Sequence, residues 1–312
     1  MPIRKQHVVS RSVLTSWTVD AKLAEFELRN GRMKLKSTAA TAYVEWFVQA
    51  DYSTVIEGVW QEVERRVPEL VRSVEAGTAF DDDETLDGLR QLIAVHITRS
   101  KQMTTIWESL YDQQRATGRL ARIRRELLTP EANRLLAEHR TGLALPFDLP
   151  VDVGSGPHLK RLDEAAGPGG PWFIELALTN HQLLIDLLRG RFVQIGHCEG
   201  GELVIGDNPA TTFDPTRNVA GLLAGANLTD STILMPLTPN YVIAFGRPGG
   251  YHQLTSAQVG VLNDIQLATA HRHAYAKPGT AAAIALAIGV QAERHRRMKD
   301  DPTRPDSARE PS

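Results

Sequence analysis

The stretch Leu203-Val204-Ile205-Gly206-Asp207-Asn208-Pro209 leaves the chain little freedom. Its three apolar residues read as a short buried strand. Gly206 frees the backbone, and a carboxylate and a carboxamide follow at once. Asn208 precedes proline, so it is pushed to extended φ/ψ and cannot run on into a helix. A sheet is therefore required here, with polar side chains held stiffly at a strand end, where sites are often built. Asp207 reads as a general base or metal ligand, or as the Asx-type turn that stops the strand.

Helical patterning dominates the residues before this point. Phe26 to Lys36 alternates apolar and polar around Asn30-Gly31, which predicts a hairpin with a type I′ turn. Thr41 to Gln49 carries Tyr43, Trp46 and Phe47, expected to pack beneath it. Ser53 can cap a helix to about Glu75, with Val55, Val59, Val63 and Val67 on its apolar stripe and Pro68 as a potential kink. Gly77 is a stop signal. A second helix is expected over roughly Glu84 to Gln114, opened by Asp81 to Asp83. A third covers roughly Leu120 to Arg140.

Thr141 to Gly170 is rich in Pro and Gly and reads as a long loop. A helix over Trp172 to Leu188 comes next, then strands at Phe192–Gly196, Glu202–Ile205, Ile233–Leu237 and Tyr241–Phe245. Helices at Ser256 to about Tyr275 and Thr280 to Met298 close the chain, and 299–312 form a charged, Pro-rich tail expected to be disordered. The expectation is one α+β domain over 1–298. A helical half (about 1–140) packs, across the loop at 141–170, with a sheet-containing half (about 171–298). The sheet is small and mostly antiparallel, with flanking helices.

Composition narrows the function classes. A net charge of −2 supplies no global field toward nucleic acid or anionic membrane. A single cysteine, Cys198, excludes an internal disulfide and a cysteine-based zinc cage. No apolar signal-peptide core follows Met1, and the most apolar late stretch, 280–290, is too short for a bilayer span of ~20 residues. A cytoplasmic location without membrane partners is the expectation.

The standard catalytic motifs are missing: no G-x-S-x-G, P-loop, H-E-x-x-H or EF-hand loop occurs. Gly154-Ser155-Gly156 lacks the third glycine and the preceding strand of a dinucleotide loop. What is left is a set of scattered polar residues. His7 sits among Arg4, Lys5 and Arg11, where cations would resist its protonation. It reads as a base or anion contact, or as an exposed terminal histidine. Glu57 and Glu64 are seven apart and share a helix face, with Arg99 on the next helix. They read as an acid–arginine site or as a structural ion pair. Arg115, Arg119, Arg122, Arg124 and Arg125 form an acid-free run, either a phosphate-contacting patch for nucleic acid or a solvated helix face. His197-Cys198-Glu199 and His271-Arg272-His273 match no common metal spacing.

Several separated segments together resemble the bacterial family catalogued as domain of unknown function 4238. Lys5 to Trp17 has the layout of the family's opening His-Tyr-Val-Pro-Gln motif. Glu57, Glu64 and Arg99 sit where it has two glutamates and an arginine. Gly206-Asp207-Asn208-Pro209, Met235-Pro236-Leu237-Thr238-Pro239 and Leu262-Asn263 match its Ser-Asp-Asn-Pro strand, its proline turn and its late Leu-Asn pair. Ser10 stands for the usual proline, Arg11 for glutamine and Gly206 for serine. The resemblance implies a shortlist: His7, Glu64, Arg99 and Asp207 as catalytic, with Asn208 and Asn263 orienting groups. The expectation is that these converge in one cleft. There they would hydrolyse a phosphodiester or similar ester, a nuclease being one version. Asp207 with Glu64 would hold a water or a divalent metal. The alternative is a non-catalytic intracellular binding protein whose polar cluster is a structural network.

Overall fold

The computed structural model describes residues 5–45, 53–105, 108, 171–214, 219–221, 231–246 and 248–286. The run at 115–125, the third helix, the 141–170 loop, Trp46, Phe47 and the 299–312 tail lie outside the described residues. The fold is α+β, with three sheets among the described residues, of which the four-stranded one takes strands from both halves of the chain. The halves are joined through that sheet, while the six-stranded sheet belongs wholly to the second half.

β1 (Lys5–His7) pairs antiparallel with β4 (Tyr43–Glu45). The hairpin β2 (Leu23–Glu27) and β3 (Arg32–Lys36) joins a four-stranded sheet with β12 (His273–Ala276) and β6 (Ile205–Gly206). Its turn is not type I′. Of the loop residues 28–31 only Gly31 has positive φ (66°), and its N–H donates to the Glu27 carbonyl at 2.8 Å. Asn30 keeps negative φ because its Oδ1 accepts from the Arg32 N–H at 2.9 Å. The third sheet has six strands, in the order β11 (Gly250–Leu254), β5 (Val193–Cys198), β10 (Tyr241–Phe245), β9 (Thr232–Thr238), β7 (Thr211–Asp214), β8 (Val219–Ala220). Only the β11–β5 pair is parallel.

The short α1 (Arg11–Thr15) leads from β1 toward β2. α2 (Ser53–Glu75) runs helical through Pro68, which has no N–H to give the Glu64 carbonyl. It ends in a Schellman motif at Gly77 (φ 76°), with Thr78 N–H on the Ser73 carbonyl at 3.0 Å. α3 begins at Asp83, capped by the Asp82 carboxylate on the Glu84 and Thr85 amides. It breaks after Thr98; residues 101–105 and 108 are helical again, and 109–114 of the expected run to Gln114 lie outside the described residues. Arg99 leaves helical geometry (φ −96°, ψ 9°), and Ser100 Oγ accepts from Met103 N–H to start a new turn. α4 (Pro171–Arg189) packs on α3. α5 (Ser256–Thr269) opens with a Thr255–Gln258 capping box. It too is shorter than expected: residues 273–276 are β12, not helix. Of the closing helix, residues 281–286 are described.

One buried apolar cluster runs from Val8 and Trp17 through Val67 and Leu92 to Ile243 and Tyr275, so residues from both halves share it. Among the described residues no helix is long and apolar enough to cross a membrane.

Candidate functional site

The shortlisted residues fall into two groups. The first forms where β1, α2 and α3 meet. On α2, Glu57, Trp60 and Glu64 follow i, i+3, i+7 spacing and share the face that also buries Val63 and Val67. On α3, His96 lies in the apolar stripe of Leu89, Leu92 and Ile93 and is completely buried. Arg99 follows three residues later, where the helix stops, and is 2% exposed.

Arg99 is held from several sides. Its Nη1 pairs with Glu64 Oε1. Its Nη2 donates to His96 Nε2 at 3.1 Å. Its guanidinium lies 5.9 Å from the Trp60 ring centre, within cation–π range. The His96 tautomer follows from its partners. Nδ1 faces the Leu92 carbonyl at 2.8 Å, which can only accept, so Nδ1 carries the proton. Nε2 is then the acceptor and also receives the Ser10 N–H at 3.1 Å. Burial and the Arg99 charge hold His96 well below the usual histidine pKa, so it stays neutral. His96 thus ties the N-terminal segment and Arg99 to one helix.

His7 is partly buried and stands edge-on to Tyr43 with ring centres 6.0 Å apart. Burial, then the charges of Arg11 and Arg99, lower its pKa from 6.5 to about 4. Glu57 moves the other way. Burial raises its carboxyl from 4.5 to about 7, with Arg99 opposing the rise and Gln6 beside it. The usual order of a glutamate and a histidine is inverted. Several polar atoms of this group are buried with no hydrogen-bond partner among the described residues: His7 Nδ1, Ser10 Oγ, Glu57 Oε1 and Arg99 Nε.

The second group is at the strand end that opened the sequence reading. Asp207 Oδ1 accepts from the His271 N–H (2.6 Å), and Oδ2 from those of Arg272 (2.8 Å) and His273 (2.9 Å). Those amides would otherwise extend α5, so the carboxylate both stops that helix and sets β12. Burial raises the Asp207 carboxyl, and the three amides and His273 oppose the rise. Asn208 Nδ2 donates to the Thr269 carbonyl at 2.8 Å, while its Oδ1 has no partner among the described residues. Asn263 clips the β6 approach, accepting from Val204 N–H (2.9 Å) and donating to the Glu202 carbonyl (3.0 Å). Gln266 does the same for Gly206 N–H and the Pro209 carbonyl, each at 3.0 Å. A Cβ at Gly206 would lie 3.0 Å from the Gln266 carbonyl oxygen, so the glycine allows this close approach.

Different charges act on the two groups. The charges acting on His7 are those of Arg11, Arg99 and Glu64. Those around Asp207 belong to the segment at His271–His273. Between them stands buried Tyr275, paired across the sheet with Glu25. Its hydroxyl makes no hydrogen bond of ordinary geometry, although Thr41 and the Ala42 backbone lie beside it.

With this geometry the chain can be compared with known proteins. Residues 5–280 match the profile of DUF4238, a protein family of unknown function. The chain belongs to that family. Searches of curated proteins and of solved structures find no match. In this DUF4238 chain His96, Trp60, Ser10 and Gln266 are the residues that sequence reasoning leaves out. The available signal for His96 was a histidine within an apolar helical stripe, three residues before the arginine.

Other chemistry is limited among the described residues of the DUF4238 chain. No three His, Cys, Asp or Glu side chains gather to hold a metal ion. Burial raises the Cys198 thiol to about 11, which leaves it little thiolate at neutral pH. His197 Nδ1 is 3.0 Å from Gln253 Oε1 and its ring is 4.8 Å from that of Tyr241. A surface groove of ≈ 290 Å³ lies beside these residues and Tyr251, and no shortlisted residue lines it.

Proposed function

We propose that this chain is an intracellular hydrolase of phosphodiester or similar ester bonds, with its site at the first group. The supporting observation is a cluster of buried polar atoms without hydrogen-bond partners among the described residues, His7 Nδ1, Ser10 Oγ, Glu57 Oε1 and Arg99 Nε, with the Thr41 backbone beside His7 and Gln6 beside Glu57. A structural network normally satisfies itself, because an unpaired buried polar group costs roughly 1–3 kcal/mol. Its retention is the mark of groups kept for a ligand or a reacting water.

In this reading His7, neutral above about 4, takes a proton from water as the water oxygen attacks the ester centre. Glu57, protonated below about 7, gives its proton to the leaving oxygen as the ester bond breaks. The proton then passes from His7 back to Glu57, and acid plus alcohol leave. Arg99 supplies positive charge to the developing oxyanion, oriented by Glu64 and His96. Asp207, Asn208 and Asn263 serve the fold. Both Asp207 oxygens already accept amide hydrogens, so a metal would have to displace them. The nuclease version would draw on the arginines at 115–125.

The reading requires a bell-shaped pH profile of kcat/KM. It rises through about 4 as His7 loses its proton and falls through about 7 as Glu57 does. His7→Ala and Glu57→Gln should each lower kcat/KM on phosphodiester or carboxylic ester substrates by about 10²–10⁴. The second reading is a binding protein with a structural network, favoured by the full satisfaction of His96. Wild type inert on DNA, RNA and generic esters, with both variants markedly lower in melting temperature, would establish that reading instead.

A further inference from the structure

Arg11 is exposed at the first position of α1, one residue beyond Ser10. Ser10 is completely buried; its N–H is fixed on His96, and its Oγ has no partner among the described residues. Arg11 thus directly follows a residue whose backbone is bonded into the Arg99 group, and its own side chain is exposed. Arg99 is answered by Glu64, whereas Arg11 makes no ion pair among the described residues. The buried atoms without partners nearby include a hydroxyl (Ser10) and an N–H donor (Arg99 Nε), both able to donate to an oxyanion. A positive arm at the rim with donors behind it is complementary to an anionic group, and a guanidinium can hold such a group in bidentate fashion.

We propose that Arg11 is the anion-recognition residue of this site, so that the ligand carries a phosphate-type oxyanion bound between Arg11 and the Ser10–Arg99 group. The substrate class narrows from esters in general to anionic esters, phosphodiesters first. Only the turnover arm of the test rests on the hydrolytic reading; the binding arm does not.

The test uses the full chain with isotopically labelled histidine, titrated with inorganic phosphate, alongside Arg11→Gln and Arg11→Lys. Phosphate should shift the His7 imidazole signals saturably and raise its pKa, since a nearby anion favours imidazolium. Arg11→Gln should weaken phosphate binding about fivefold or more, and Arg11→Lys by less, with melting temperatures unchanged because the side chain is exposed. The ratio of kcat/KM for a phosphodiester to that for a neutral carboxylic ester should fall by about the same factor in Arg11→Gln, through KM. No saturable His7 response in wild type, or phosphate affinity in Arg11→Gln within about twofold of wild type, overturns the proposal. Phosphate binding that behaves as expected in a protein inert on all esters would uphold the anion site and remove the hydrolytic reading.

Discussion

The Arg99 group and the Asp207 group are built from similar residue types and are left in opposite states. Around Asp207 most polar atoms are consumed by backbone, with three amides on one carboxylate, two backbone groups on Asn263 and two on Gln266, while Asn208 Oδ1 is left over. Around Arg99, side chains bond both to one another and to backbone, and more buried atoms are left over. Polar residues aimed at backbone fix a fold. Polar residues aimed at one another, with capacity to spare, are available for chemistry. The Asp207 carboxylate is aimed at three backbone amides.

The contrast breaks most easily at Asp207. Asp207→Ala removes the acceptor of three amides where α5 meets β12, and each orphaned amide carries a desolvation cost. The expected loss is about 3–5 kcal/mol of unfolding free energy. Urea unfolding that registered less than about 1 kcal/mol would mean the carboxylate is not holding that junction. Asn263→Ala should cost less, about 2 kcal/mol, because it orphans the Val204 amide and the Glu202 carbonyl at a partly exposed site. Catalytic turnover by the folded variant should stay close to wild type. A hundredfold loss of rate with stability intact would move Asn263 into the site and erase the division drawn here. Ser10→Pro is expected to be the mildest. Ser10 already has φ −54° and ψ 130°, which suit proline; the N–H to His96 is lost, together with a hydroxyl that has no hydrogen-bond partner among the described residues. The change in stability should lie within about 1 kcal/mol, since the lost bond and the stiffer unfolded chain oppose each other. A larger loss would show that His96 needs both of its donors.

Much of this contrast was out of reach of the sequence. The helix Ser53–Glu75 and its Gly77 stop were legible because stripe and glycine agreed. So was the pairing of Glu64 with Arg99, from spacing on adjacent helices. The end of α5 was not, because what stops it is a carboxylate more than sixty residues earlier accepting its amides. The early stop of α3 has a local cause, the Ser100 cap, hidden by strong helix formers on either side. The type I′ turn failed because Asn30 used its side chain instead of a positive φ. Asp207 drew a site reading for a physical reason. A strand-end carboxylate looks alike whether it faces a ligand or the amides of a distant segment, and only tertiary contacts tell the two apart.

The central claim is that the Arg99 group carries groups kept for function at a cost to stability. Glu57 tests it most directly. Its carboxyl is raised to about 7 in the folded chain from 4.5, so the folded state binds the proton more tightly. Stability from this group is fully present below 4.5 and is lost as pH rises through about 7. The measurement is the unfolding free energy of wild type and Glu57→Gln from pH 4 to 8. The account expects wild type to fall relative to the variant across that interval by on the order of 3 kcal/mol, leaving Glu57→Gln the more stable at pH 8. A variant less stable than wild type at pH 8, with a difference that does not change with pH, would contradict it.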